Sequence, residues 1–206
     1  MSGLSPDFRP LVLALNFPLD RASTEVATPT YREIPGPVKT AVRALLRFGG
    51  YKPSGRGRPA SESLLKALAE DRYRQIHPVV DVLNRLSLES GLPISVLDAD
   101  AVGPRWSFRL GGPGESYVFN PSGQELNLQG LMVLANPTGA VGSPVKDSQR
   151  TKVHSQTARF LIVVWGTAVL PESTALVQRG IEQWASKLGL ELEGMEPCYS
   201  EAEPAD

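Results

Sequence analysis

HPVVDVLNRLSLESGLPISVLDAD, residues 77–100, is the stretch whose reading decides the fold. Pro78 suits a first helical turn, where its missing N–H has no intrahelical partner to lose. Val79, Val82, Leu83, Leu86 and Ser90 then recur with a 3.6-residue period, which predicts a helix with one buried face. Gly91 and Pro93 stop it, and ISVLD at 94–98 reads as a short strand. Asp81 reads as a solvated charge at the helix start. Asn84 flanks the apolar stripe; its carboxamide both donates and accepts, so it faces water, caps, or serves a pocket.

Outward from this helix–strand pair, LVLALNF at 11–17 predicts a buried strand that Pro18 ends. From Val38 an apolar stripe predicts a helix on which Lys39, Arg43 and Arg47 form a cationic ridge, until Gly49 and Gly50 stop it. YKPSGRGRP at 51–59 reads as an exposed loop, and a second helix runs from about Ser61 to near Arg72. RWSFRL (105–110), ESYVFN (115–120), LMVLAN (131–136) and ARFLIVVWG (158–166) read as strands. Pro171 to Leu188 reads as an amphipathic helix stopped by Gly189. Helices early, strands in the middle and one helix late predict an α+β fold, with a mixed or largely antiparallel sheet packed with helices. The 206 residues are expected to form a single domain over 1–190 and an acidic, flexible tail over 191–206.

Composition excludes several classes of function. The longest apolar run, FLIVVWG at 160–166, has strand length and falls short of a membrane span of about 18 residues. No basic, apolar and small-residue leader opens the chain, so the expected location is cytoplasmic, with no membrane partner. One cysteine, Cys198 in acidic surroundings, reads as a bystander, and two histidines leave little for zinc; neither a metal nor another cofactor is expected. The net charge of −1 hides an asymmetry: residues 39–74 carry nine cations against three anions, whereas 191–206 carry six anions and no cation. A basic third of this kind attracts phosphate.

Short motifs add less. GRGRP at 55–59 resembles the core of an AT-hook over five residues, but a phosphate-contacting loop is the better reading, and DNA is not the expected partner. The Gly-rich segments 111–114 and 139–142 lack nucleotide-loop spacing and read as hairpin turns. His154 in KVHSQT has only sequence neighbours as triad partners and reads as a surface histidine.

The run from His77 to Asp98 resembles, without a gap, the signature of the B3/B4 domain, the editing domain of the phenylalanyl-tRNA synthetase β subunit. There a similar run reads Asn-Pro-x-Val-Asp-x-x-Asn, then Gly-x-Pro-x-His-x-Phe-Asp. RPASESLLKAL and DSQRTKVHSQTARFLIVV resemble segments of stand-alone proteins built on that domain, so the likeness covers roughly residues 55–185. Asn84 falls on the family's pocket Asn, whereas Leu83 stands where the family has Thr and Ser95 where it has His. Lys146 and Asp147 occupy the region nearest the synthetase's tyrosine-recognising Glu.

The resemblance implies a pocket for the 3′ end of tRNA, with Asn84, Ser95 and Leu83 at its wall and Asp147 or Ser148 binding the amino group or a water. Arg43, Arg47, Arg56, Arg58 and Lys66 would hold phosphates. It also implies a partner, tRNA or aminoacyl-tRNA, with an aminoacyl-tRNA synthetase as a further candidate. Two activities fit. One is an aminoacyl-tRNA deacylase acting in trans on a mischarged ester, where positioning a water is sufficient chemistry. The other is a non-catalytic tRNA or amino-acid binding module of the same fold. A complete aminoacyl-tRNA ligase is not expected.

Overall fold

The computed structural model describes residues 3–30 and 33–200. In chain order these form β1 (Leu11–Asn16), α1 (Gly36–Arg47), α2 (Ala60–Ala69), α3 (Pro78–Ser90), β2 (Ile94–Asp98), α4 (Ala99–Val102), β3 (Ser107–Leu110) and β4 (Ser116–Val118). β5 (Glu125–Asn127), β6 (Met132–Asn136), β7 (Gly139–Gly142), β8 (Arg159–Val164), α5 (Pro171–Lys187) and β9 (Leu192–Gly194) complete them. The fold is α+β, as the order of elements predicts, and the strand pairs are antiparallel.

A four-stranded sheet, ordered β2-β8-β1-β9, divides the interior. β8 is central and reads as an unbroken apolar run because both of its faces are covered. Antiparallel register sets Ser95 opposite Val163 and Leu97 opposite Leu161, while Ile94 and Val96 stand opposite Val164 and Ile162. Because side chains alternate along a strand, the two sets point to opposite faces. The Ile94, Val96, Ile162 and Val164 face packs under Val79, Val82, Leu83 and Leu86 of α3 and Val177 and Ile181 of α5. The Leu97, Leu161, Val163 and Trp165 face packs on Phe108 and Leu134 of a second sheet, ordered β3-β6-β7.

The helix that opened the sequence reading forms over Pro78–Ser90, with Val79, Val82, Leu83, Leu86 and Ser90 all buried. His77 caps it by accepting the Val79 N–H at 3.3 Å. Gly91 ends it in the left-handed region, φ 75°, and its N–H bonds to the Ser87 carbonyl. Asp81 departs from expectation. It is 4 % exposed and accepts the Ile76 N–H at 3.0 Å, so the helix-start carboxyl closes the preceding loop instead of facing water.

Other departures trace to weak local signals. α2 stops at Ala69, short of Arg72, where Asp71 takes a left-handed φ of 52°. Residues 139–142, expected as a turn, are β7, and the turn lies just before them. Two terminal glycines had hidden a four-residue strand. The acidic segment expected to be free from residue 191 is paired as far as Ser200. β9 lies on the edge of β1, the Cys198 carbonyl accepts from Phe108, and Ser200 donates to the Phe108 carbonyl. These are backbone bonds, which leave Glu191, Glu193 and Glu196 in solvent while covering an open sheet edge. Residues 201–206 lie outside the described residues.

α1 is clamped to the strand layer by two glycines. A Cβ at Gly130, which has φ 71°, would strike the carbonyl oxygen of Gly49, and one at Gly49 would strike that of Gly130. Backbone cannot swing aside as a side-chain tip can. Gly130→Ala is therefore expected to lower stability by about 1–3 kcal/mol, read as a lower urea midpoint at unchanged slope.

Candidate functional site

Ser95 lies beneath the loop that follows β7. The Trp165 indole, fully buried, donates to Ser95 Oγ at 2.9 Å, and Ser95 Oγ donates to Asp147 Oδ1 at 2.6 Å. A hydroxyl has one proton, and Ser95 Oγ also faces the Ser143 carbonyl at 3.3 Å; the shorter, charge-assisted bond to the Asp147 carboxylate is the favoured one. The Ser143 N–H approaches the same carboxylate oxygen at 3.4 Å. Burial pushes the Asp147 carboxyl up to about 6, against the hydrogen bonds from Ser95 and Ser143 and the charge of Lys152, which pull it down. Such a carboxyl changes charge near neutrality, as a general base requires.

The surrounding groups come from three parts of the chain. Tyr117 of β4 donates to Ser143 Oγ at 2.9 Å and lies against the Lys146 carbonyl. Lys146 Nζ stands 3.8 Å from the centroid of the Phe119 ring, and Lys152 Nζ donates to the Phe119 carbonyl. The Lys152 backbone bridges to Leu97, which carries its side chain to the free edge of β2. Burial lowers both ammonium groups from the ordinary lysine value; the charges of Arg56 and Lys152 lower Lys146 further, while Asp147 pulls Lys152 back up. Ser148, 1 % exposed, accepts the Arg150 N–H at 3.3 Å and thereby turns the chain between Asp147 and Lys152.

The expected cations divide. Arg43 and Arg47 line a cleft of about 440 Å³ together with Tyr51, Lys52 and Ser54. Arg43 is held by Glu62 through two bonds of 2.7 and 2.6 Å, whose charge and hydrogen bonding raise its pKa. Lys66 pairs with Glu70 at 3.5 Å, and Arg58 donates to the Gly55 carbonyl at 2.7 Å. Arg56 sits in the single 3-10 turn of the GRGRP loop. The Ala60 N–H bonds to the Pro144 carbonyl at 2.8 Å, so this loop abuts the segment bearing Lys146 and Asp147.

Two expected pocket residues lie elsewhere. Leu83 is 0 % exposed and packs in the core under the sheet. Asn84, half-buried, lies against the Tyr73 phenol, whose buried oxygen has no well-formed hydrogen-bond partner. α3 covers the Ile94 and Val96 face of β2, whereas Ser95 points to the other face. Asn84 and Ser95 are therefore separated by the sheet and do not wall one pocket. Ser95, 1 % exposed, positions Asp147 and does not itself line an open cavity.

Sequence reasoning missed Tyr117, Ser143 and Lys152. Tyr117 and Lys152 lie 30 and 5 residues from Asp147 with no shared periodicity; the hairpin of β4 and β5 brings up Tyr117, while the turn at Ser148 and the bridge to Leu97 place Lys152. Adjacent Lys146 and Asp147 were the one local signal. Elsewhere, His154, on the surface as read, makes a 3.3 Å contact with Asp98, which also accepts from Thr157 at 2.6 Å. Among the described residues no three His, Cys, Asp or Glu side chains are grouped as metal ligands, and no helix is long and apolar enough to cross a membrane.

A family model described as the B3/4 domain matches residues 51–191, a span that includes Arg56, Ser95, Asp147 and Lys152. No curated protein matches the chain.

The raised Asp147 carboxyl has a consequence for stability. The unfolded carboxyl titrates near the ordinary aspartate value of 3.8 and the folded one at about 6. The native state therefore bears a penalty that is absent below the lower value, grows between the two and is complete above the upper. Asp147→Asn removes the charge while keeping an acceptor for Ser95. Its stability relative to wild type is expected to rise between pH 4 and pH 6 and to level off above, measured as urea midpoints across that range.

Proposed function

Since the chain belongs to the B3/4 domain family, we propose that it binds the 3′ end of tRNA and hydrolyses the ester of mischarged aminoacyl-tRNA in trans. Family membership supports the coarser part, a role in binding RNA. The observation that carries the finer part is the Ser95–Asp147 hydrogen bond of 2.6 Å, with a carboxyl raised to about 6 beside the cationic loop.

The chemistry follows from that carboxyl. Above pH 6 Asp147 is an anion, and it takes a proton from a water as the water oxygen attacks the ester carbonyl carbon. The carbonyl oxygen gains negative charge, which the Lys146 and Lys152 ammonium groups stabilise across a short, poorly screened path. The intermediate collapses by breaking the bond to the ribose oxygen. That oxygen takes the proton back from Asp147, leaving free amino acid and a ribose hydroxyl. Ser95, fixed by Trp165, keeps the carboxylate aimed throughout. Arg43, Arg47, Arg56, Arg58 and Lys66 contribute positioning through phosphates, with Arg47 and Arg56 free of ion pairs among the described residues.

A second reading, a tRNA or amino-acid binding module without chemistry, is favoured by the burial of Ser95 and Leu83, which leaves few of the expected pocket groups open. A synthetase bound alongside is compatible with either reading. One experiment separates the two: a panel of mischarged tRNAs is incubated with the protein and ester loss is followed from pH 5 to 8 after subtraction of the spontaneous rate. Loss rising to a plateau above about pH 6, and falling about 10²–10⁴-fold in Asp147→Asn, is the expected result. Binding without loss for every pair selects the module.

A further inference from the structure

The cap of α3 is a histidine, and it is buried, at 6 % exposure. His77 Nδ1 accepts the Val79 N–H at 3.3 Å, so the neutral ring carries its proton on Nε2. Nε2 is itself buried and has no hydrogen-bond partner among the described residues. The ring lies 5.0 Å from that of Phe160 in β8 and 5.3 Å from that of Phe17, which stacks at 5.7 Å on Trp184 of α5. A Ser, Thr or Asn cap accepts whatever the pH, whereas an imidazole accepts only while Nδ1 is unprotonated. The segment that leads into this cap is lightly held. It turns at Asp71 with a left-handed φ of 52°, Gln75 donates to the Val26 carbonyl at 2.5 Å, and the Ile76 side chain is exposed.

We propose that His77 is an acid-sensitive latch: a proton taken from solvent onto Nδ1 turns that atom from acceptor to donor, breaks the bond from the Val79 N–H, and frees residues 71–77 and the first turn of α3 from Phe17 and Phe160. A charged ring held between two phenyl groups, with no acceptor for either N–H, is costly to keep buried. The groups facing it from β8 and from the end of β1 are Phe160 and Phe17, neither of which titrates. On its own helix Asp81 turns its carboxylate to the Ile76 N–H at 3.0 Å, and Tyr73 stays neutral because burial and the Asp81 charge raise its phenol. Burial accordingly lowers the imidazole from its ordinary value of 6.5. An open ring titrates near that value and the closed ring below it, so closure is complete above 6.5 and weakens as the pH falls through the interval between the two. Asp81 acts in the opposite sense: burial raises its carboxyl against the Ile76 and His77 N–H groups, so acid steadies that contact and leaves His77 as the group that opens. The latch lies on the helix-covered face of the sheet, opposite Ser95, and is independent of the RNA reading.

The test follows amide hydrogen exchange in the full chain from about pH 7 to about pH 4.5, with each rate corrected for its intrinsic pH dependence. Wild-type protection at Val79 is expected to be constant above about pH 6.5 and to fall by up to about tenfold per pH unit below it, since opening takes up one proton. Protection of Leu161 and Ile162 in β8 is expected to hold over the same range. His77→Asn keeps a capping acceptor without a titrating ring, so its Val79 protection stays flat. The carbon-bound proton signals of the His77 ring are titrated in wild type by NMR, which tests the latch even where the variant fails to fold. A ring that titrates at or above its ordinary value, Val79 protection that does not change with pH in wild type, an equal fall in His77→Asn, or a parallel loss across β8 would each overturn the latch.

Discussion

The Trp165 indole donates its one hydrogen bond to Ser95, and much of the site's arrangement depends on it. The indole is fully buried between the two sheets, where an unpaired N–H would be costly, so its partner is dictated by the fold. With the indole donating to it, Ser95 directs its one proton to Asp147 at 2.6 Å in preference to the Ser143 carbonyl at 3.3 Å. The carboxyl is in this way anchored through a hydroxyl and an indole to the central strand of the sheet. Its raised proton affinity follows from the same enclosure, since burial outweighs the hydrogen bonds from Ser95, Ser143 and the Val96 backbone and the neighbouring ammonium that favour the anion.

The antiparallel register of β2 on β8 imposes a second constraint. A strand presents alternate residues to opposite faces, so one strand serves two layers without sharing residues between them. Ile94 and Val96 belong to the helix layer, Ser95 and Leu97 to the sheet layer. α3 then acts as a roof for the sheet, and Asn84 ends at a boundary with Tyr73 away from Ser95. Chemistry gathers instead on the side where the hairpin of β4 and β5 brings Tyr117 and Phe119 to the loop of Ser143, Lys146 and Asp147.

The basic surface is made of unequal parts. Glu62 and Glu70 neutralise much of Arg43 and Lys66; the Arg43–Glu62 pair is bidentate and part-buried, whereas the exposed Lys66–Glu70 pair contributes little to stability. Arg47 and Arg56 keep their charge for other uses. The loop bearing Arg56 abuts the segment of Lys146 and Asp147 through the Ala60–Pro144 backbone bond, and the charge of Arg56 lowers the Lys146 pKa. A sequence count of cations shows the excess but not which of them are already paired.

Residues 77–98 alone specified a helix, its stop at Gly91 and the strand that follows, because periodicity and turn chemistry are local properties. The apolar runs of β1, β6 and β8 were equally legible, and so was the α+β class. Asp147 stood out by its place in the family resemblance, and Ser95 by the same alignment. The strand β7, with glycine at each end, and β9, inside an acidic run, carried no such pattern, since backbone pairing with an existing edge needs no side-chain signal. Only tertiary structure decided that Asn84 and Ser95 part company, that Leu83 is core, and that Tyr117 and Lys152 meet Asp147. The physical reason is that strand register and hairpin packing bring together residues distant in sequence, 70 positions apart for Ser95 and Trp165, and no short-range periodicity records those distances.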